Sequence, residues 1–421
     1  MNSFIEICVL LEALIIICQF WRSFRSKDSS QIWSPLNIVS LTYVYYCIVP
    51  HYYAGNENFV VDETASNAYL FHIASLLSLV VIFFTFSKTV SKVDFTKWNN
   101  CIPDASAIKN GLILFFMGFV GYGICRGFHF SIARTEKTVL MEGGFTYYIM
   151  CMTEFFPVAL ALLIAGWKQN KRKLWLLIPV WLIFITMIFS GSRGRIIIGV
   201  ISILIMWHSY PKVRKVRYLP LVSIMVLLFL GFSIMDKTRN YGGGIDLEAA
   251  SSLQMNDIKN GAQENYTVYQ YSINCMDKAH YTGARYYFEP IITALLMPLP
   301  RALFPWKPDA SYMKQFETQI LGNTDSGAAY LNFVESYLSF GWFGVVFWAF
   351  VLGWCSKKIW SNYDRNRNHL GAIVLLCVFD GLVYMIISRG YLAQSFSSLL
   401  YGICIPIWIS MLINRKSINK V

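Results

Sequence analysis

Long apolar runs, punctuated by short basic clusters, constrain this chain more than any other feature of its sequence. The runs last roughly 18–22 residues, the length a helix needs to cross the ~30 Å hydrocarbon core of a bilayer. Charged residues make up 14% of the 421, about half the ~25% of a soluble domain. A soluble cytoplasmic enzyme, a disordered protein and a secreted disulfide scaffold are excluded. The sequence predicts an all-α polytopic integral membrane protein with one large external loop.

Eleven spans are expected, at 4–21, 35–53, 68–86, 109–127, 146–166, 174–191, 195–210, 218–235, 332–355, 370–388 and 392–413. The net charge of +12 suggests a nucleic-acid partner only until its distribution is read. With these spans, 22 of the 36 Lys and Arg fall on one side, beside only four acids. The positive-inside rule makes that side cytoplasmic, with the N-terminus outside and the C-terminus inside. The charge is thus a topology signal; the lipid bilayer is the expected partner, and no nucleic acid is. The first span contains Glu6 and Glu12 and has its basic flank on the C-terminal side, which predicts a retained anchor rather than a cleaved signal peptide. The ten cysteines and six histidines form no disulfide framework and no metal-ligand spacing. No Walker or GxGxxG pattern is present, so no cofactor and no metal are expected.

The chain divides into 1–235 with spans one to eight, a periplasmic loop or cap at 236–329, and 330–421 with the last three spans. Loops of that length are usually functional. This one opens on a Gly-rich hinge at 241–244, followed by helix-compatible stretches at 246–259 and 263–279. The apolar run 291–299, between Pro290 and Pro300, is too short to cross a bilayer. It reads either as an interfacial or re-entrant element holding Arg301 and Lys307 at headgroup level beside Trp306, or as a buried loop strand. The expected cytoplasmic loops are short, so activity belongs within the membrane or on its outer face.

Three constellations can carry chemistry there. In Ser190-Gly191-Ser192-Arg193-Gly194-Arg195, Ser192 can cap the next span, whose N-terminus favours anions. Arg193 and Arg195 add fork-shaped donors suited to phosphate, or merely snorkel to headgroups. In the 329–344 segment, Glu335 sits just below the outer surface. A carboxylate there needs a role, such as general base toward a hydroxyl, or an arginine partner. Gly341 and Gly344 read as close-packing glycines. In Ser388-Arg389-Gly390 a second Arg-Gly turn lies about two helical turns above Asp380. Asp380 and Glu154 are supporting acids, read here as partners that hold arginines. Tyr266, Tyr269, Tyr271, Tyr281, Tyr286, Tyr287, Trp306 and Tyr312 offer flat faces for sugars, or an interfacial belt.

The turn at 190–194, the Leu299-Pro300-Arg301 to Pro308 stretch, the Val334-Glu335 to Gly344 segment and the Ser388-Arg389-Gly390 turn together resemble the O-antigen polymerases, the Wzy-type oligosaccharide repeat-unit polymerases. The resemblance implies a GT-C-like, metal-independent glycosyltransferase of the bacterial cytoplasmic membrane. It further implies undecaprenyl-pyrophosphate-linked oligosaccharide as substrate, on the periplasmic side, and admits a polysaccharide chain-length regulator as partner. Arg193, Arg195, Arg301, Lys307 and Arg389 would then hold pyrophosphate or glycan, with Ser192 capping and Glu335 catalytic. An O-antigen ligase shares the donor and differs in its acceptor. A flippase or proton-coupled transporter would use Glu12, Glu154 and Asp380, but no internal repeat supports one.

Overall fold

The computed structural model describes residues 2–53, 68–90, 95–125, 144–170, 173–189, 193–216, 218–240, 244–245, 251–252, 263–299, 304, 306 and 329–418. These are helical and irregular apart from one antiparallel pairing, Arg239–Asn240 with Gly244–Ile245. Over the described residues, the expected spans fall on helical segments. In order they are α1 (Asn2–Arg25), α2 (35–53), α3 (Ala68–Lys88), α4 (Ala107–Cys125), α5 (144–169), α6 (174–189), α7 (Arg193–Ser209) and α8 (Tyr218–Thr238). The long connection contributes α9 (Gln263–Thr282) and α10 (Glu289–Leu296), and the chain ends with α11 (Asn332–Arg365), α12 (Leu370–Ser388) and α13 (392–418). Among the described residues, seven stretches, in α1, α3, α4, α5, α11, α12 and α13, are long and apolar enough to cross a membrane.

Two compact units emerge. The first comprises Met1–Val93, Gln263–Ser361 and Val383–Ser397. The second comprises Asp94–Ala262, Asn362–Leu382 and Ser398–Val421. Within the first, α1 turns an apolar stripe outward, with Ile7, Leu10, Leu14, Ile17 and Trp21 exposed at helical spacing. Its opposite face, including Ile5, Cys8, Val9, Glu12 and Ile16, is buried. That division suits one face for lipid and one for neighbouring helices. The same unit lets α11 meet α3 closely: a Cβ on Gly353 would come within 2.7 Å of the Ile82 carbonyl oxygen.

In the second unit α4 and α5 pack through small residues. A Cβ on Gly118 would lie 2.5 Å from the Phe156 ring, and one on Gly121 would lie 2.7 Å from the Ile149 carbonyl oxygen. Small residues bring backbones together where lipid supplies no hydrophobic drive for association. The far end of α7 is fastened by Lys168, whose ammonium donates to the carbonyls of Trp207 and Tyr210.

One expectation changes, and one open alternative is decided. The 332–355 span is not one straight helix: α11 breaks at Phe340 (φ −134°, ψ 20°) and Gly341 (φ 63°, ψ −144°). Nothing lies within 4 Å of a Cβ at Gly341, so this glycine serves a left-handed backbone rather than close packing. Gly344 does serve packing, since its Cβ would meet the Ser336 carbonyl oxygen at 2.0 Å. The run after Pro290 is helical, not a strand. In α10, Pro290, Thr293 and Ala294 are buried, while Ile291, Ile292 and Leu295 are exposed.

Gly341→Ala is expected to cost on the order of 1–3 kcal/mol and to lower the unfolding temperature of the detergent-solubilised protein. Gly231→Ala, at a helical position with nothing within 4 Å, should leave that temperature unchanged or raise it.

Candidate functional site

The break in α11 isolates a short helical stretch, Asn332 to Ser339, that carries Glu335. Just before it, Tyr330 accepts a hydrogen bond from the Gly390 N–H at 2.6 Å. A Cβ at Gly390 would lie 2.6 Å from the Leu331 carbonyl oxygen and 2.7 Å from Tyr330 Cδ2, so only glycine lets the two backbones touch. Glu335 is buried, with 3% of its surface exposed, and its Oε2 accepts from the Leu392 N–H at 2.8 Å. Leu392 opens α13, where the first N–H groups have no partner within the helix. A carboxylate satisfies one of them and complements the positive helix end.

Glu335 therefore caps α13 from another helix, and the turn carrying Arg389 is held at two points just after the arginine, Gly390 and Leu392. Burial, followed by the Glu335 charge, pushes the Tyr391 phenol in that turn up to about 12. Arg389 itself is half-buried.

The chain after α9 completes this region. Gly283 takes a positive φ of 69°, and Arg285 then donates from Nη1 to the carbonyls of Ala279 (3.1 Å) and Ala284 (2.9 Å). Its guanidinium lies 5.0 Å from the centre of the Tyr337 ring. The Tyr286 N–H donates to the Leu338 carbonyl at 2.8 Å, next to the α11 break. Leu331 N–H donates to Ser272 Oγ at 3.1 Å, and Tyr271 stacks on Tyr330. Arg285 escapes a motif-based reading. Its sequence signal is a glycine just past a helix followed by a cation, an arrangement that satisfies terminal carbonyls.

The second unit holds the other expected group. Arg193 is the first residue of α7 and is buried, with 6% exposed. Arg195 donates from Nη2 to Glu154 Oε1 at 2.9 Å. Glu154 stands in a tight turn, Met152–Phe155, that interrupts α5 just before Pro157. Asp380 is fully buried, and neither carboxylate oxygen has a hydrogen-bond partner among the described residues. Beside it a Cβ on Gly381 would lie 2.8 Å from Ile198 Cγ2, and Ser202 Oγ donates to the Cys377 carbonyl at 3.3 Å.

The structure thus joins Glu335 to the Arg389 turn in one unit and Arg195 to Glu154 in the other. Ser192, Arg301 and Lys307 lie outside the described residues, as do the glycine hinge at 241–243, most of the 246–259 stretch, and Tyr312.

The aromatic reading needs correction. Tyr266, Tyr269, Tyr271 and Tyr286 are buried in the first unit and pack against protein, so they form no open platform for sugars. Tyr281, Tyr287 and Trp306 are exposed. Tyr287 also has a positive φ of 50°, the one such residue other than glycine among those described.

Arginines fixed by carbonyls, by carboxylates or by the start of a helix are suited to anions with several oxygens, because the guanidinium fork is held in register. No curated protein and no solved structure matches the chain. The multi-span helical architecture nevertheless coincides with a family model described as O-antigen polysaccharide polymerase Wzy, which matches residues 1–420. With essentially its whole length covered, the chain belongs to that family of multi-pass inner-membrane, glycosyltransferase-type polymerases.

Proposed function

We propose that this polymerase joins undecaprenyl-pyrophosphate-linked repeat units at the periplasmic face of the membrane. The hydroxyl at the non-reducing end of one lipid-linked unit attacks the anomeric carbon of a glycan carried by another. A new C–O bond forms, the bond from that carbon to phosphate breaks, and undecaprenyl pyrophosphate leaves with the electron pair. The cations assigned to pyrophosphate or glycan, in place of a metal, are Arg193 and Arg195 in one unit and Arg301, Lys307 and Arg389 in the other. Ser192 adds a hydroxyl to the pyrophosphate- or glycan-binding set, and Glu154 holds Arg195 in one orientation. Glu335 accepts the hydroxyl proton. Asp380 is a supporting acid in α12.

The full-length family match carries the reaction class, and the doubly gripped Arg389 turn supports this assignment of roles. In the same reading the eleven helical segments are spans of a GT-C-like enzyme with the N-terminus outside and the C-terminus inside. The 236–329 connection caps the site, and the lipids enter laterally. A chain-length regulator is a natural partner.

Deletion tests the reaction class. Loss of this protein should leave lipopolysaccharide bearing a single repeat unit, and a plasmid copy should restore the long ladder. Bare core in the deletion strain would indicate a ligase instead. Accumulation of cytoplasm-facing lipid-linked units would indicate a transporter.

A further inference from the structure

A hydrogen-bonded row in the first unit plays no part in the roles assigned above. Glu6 Oε1 lies 3.2 Å from His51 Nε2. His51 Nδ1 lies 3.4 Å from the Tyr269 hydroxyl, and that hydroxyl lies 3.0 Å from His72 Nε2. The four residues come from four elements, α1, α2, α9 and α3. The two imidazoles face each other edge to face with ring centres 5.1 Å apart. One end of the row is open, since the Glu6 side chain is 50% exposed. The other end is closed: His72 is fully buried, and its Nδ1 has no hydrogen-bond partner among the described residues.

A tyrosine hydroxyl carries one proton and can accept as well as donate, so it can donate to one imidazole and accept from the other. Two polarities of the row then use every bond. In the first, His72 Nε2–H donates to Tyr269, Tyr269 donates to His51 Nδ1, and His51 Nε2–H donates to the Glu6 carboxylate. In the second, each bond is reversed and Glu6 carries a proton. Interconversion of these patterns is what a proton wire requires. Burial pushes the Tyr269 phenol well above the ordinary tyrosine range, so Tyr269 passes protons without standing as a phenolate. The other titratable groups near it are Cys47, Glu12 and Tyr266.

Each glycosidic bond formed breaks an O–H bond and releases one proton, which has to reach water. We propose that His72, Tyr269, His51 and Glu6 form the relay that carries this proton out. His72 Nδ1 takes up the proton and Nε2 passes one to Tyr269. Tyr269 passes its own to His51 Nδ1, His51 Nε2 passes one to Glu6, and Glu6 releases it: one proton enters and one leaves. The inner end lies beside the helix that carries Glu335, because Phe71, next to His72, packs on Phe333 at 5.3 Å between ring centres. The relay rests on the polymerase reading, and all four are relay residues with no contact to substrate assigned to them.

The test is the pH–rate profile of polymer formation by the purified full chain supplied with lipid-linked repeat units. Glu6→Gln keeps a hydrogen-bond acceptor for His51 at an exposed position but cannot carry the proton. Tyr269→Phe keeps the ring and removes the central hydroxyl. Both should lower the initial rate at least about tenfold near neutral pH and flatten its dependence on pH relative to the wild type.

If the row only fastens α9 to the spans, the unfolding temperature shifts while the profile stays, and the relay is overturned. Should Tyr269→Phe fail to fold, Glu6→Gln decides: a wild-type rate and profile in that variant overturns the relay. Wild-type protein that forms no polymer from the same substrate overturns the polymerase reading, and the relay with it.

Discussion

Arg193→Ala should reduce polymer formation by at least about a hundredfold while the protein accumulates normally in the membrane. The reason is positional. Arg193 opens α7, where unsatisfied N–H groups and the positive end of the helix already favour an anion, and its burial keeps water from screening its charge. A diphosphate leaving group develops negative charge as the sugar–phosphate bond breaks. A fixed cation that meets this charge lowers the barrier more than it tightens ground-state binding. Because Arg193 is buried, its removal could also disturb packing. Arg193→Lys separates the effects by keeping the charge and losing the planar fork. Its polymer yield should fall between wild type and Arg193→Ala, with unfolding temperatures alike in all three. Long chains from Arg193→Ala would remove the anion site from the mechanism.

Glu335 offers the second large effect, and its geometry makes the test sharp. The carboxylate has a structural task, capping α13 through Leu392 at 2.8 Å. Glutamine can accept the same hydrogen bond but cannot accept a proton at neutral pH. Glu335→Gln should therefore keep the fold and the Arg389 turn, and lose at least about a hundredfold in rate. Glu335→Ala should lose activity and stability together, since it leaves the Leu392 N–H without its acceptor, a cost of roughly 1–3 kcal/mol. Activity within a few-fold of wild type in the glutamine variant would reduce Glu335 to a positioning residue for the Arg389 turn.

The helical segments were legible in the sequence because continuous apolar runs carry their own length, and each run needs only itself to form a helix. Features that depend on a second segment were not. Glu335 and Leu392 are 57 residues apart and Tyr269 and His51 are 218 apart, and no local pattern announces either pairing. The kink at Gly341 was hidden because a glycine in an apolar helix serves close packing or an unusual backbone with the same letter. Gly344, three residues on, shows the other use.

Of the α9 tyrosines, Tyr266, Tyr269 and Tyr271 are buried and Tyr281 is exposed, a division that helical spacing partly exposes. Tyr266, Tyr269, Ile273 and Met276 recur at helical spacing and are all buried, the pattern of a helix face turned inward. Glu154 was read as a partner for an arginine, and it does lie on Arg195. The arginine it would choose was not visible, because that depends on how α5 and α7 pack.

The most direct measurement is reconstitution of the purified protein in proteoliposomes with undecaprenyl-pyrophosphate-linked repeat units, following chain length on gels with and without a metal chelator. A transfer driven by arginines predicts a ladder of polymer that is equally strong with chelator and absent with Arg193→Ala. A ladder that vanishes with chelator, or one that persists undiminished in Arg193→Ala, would contradict it.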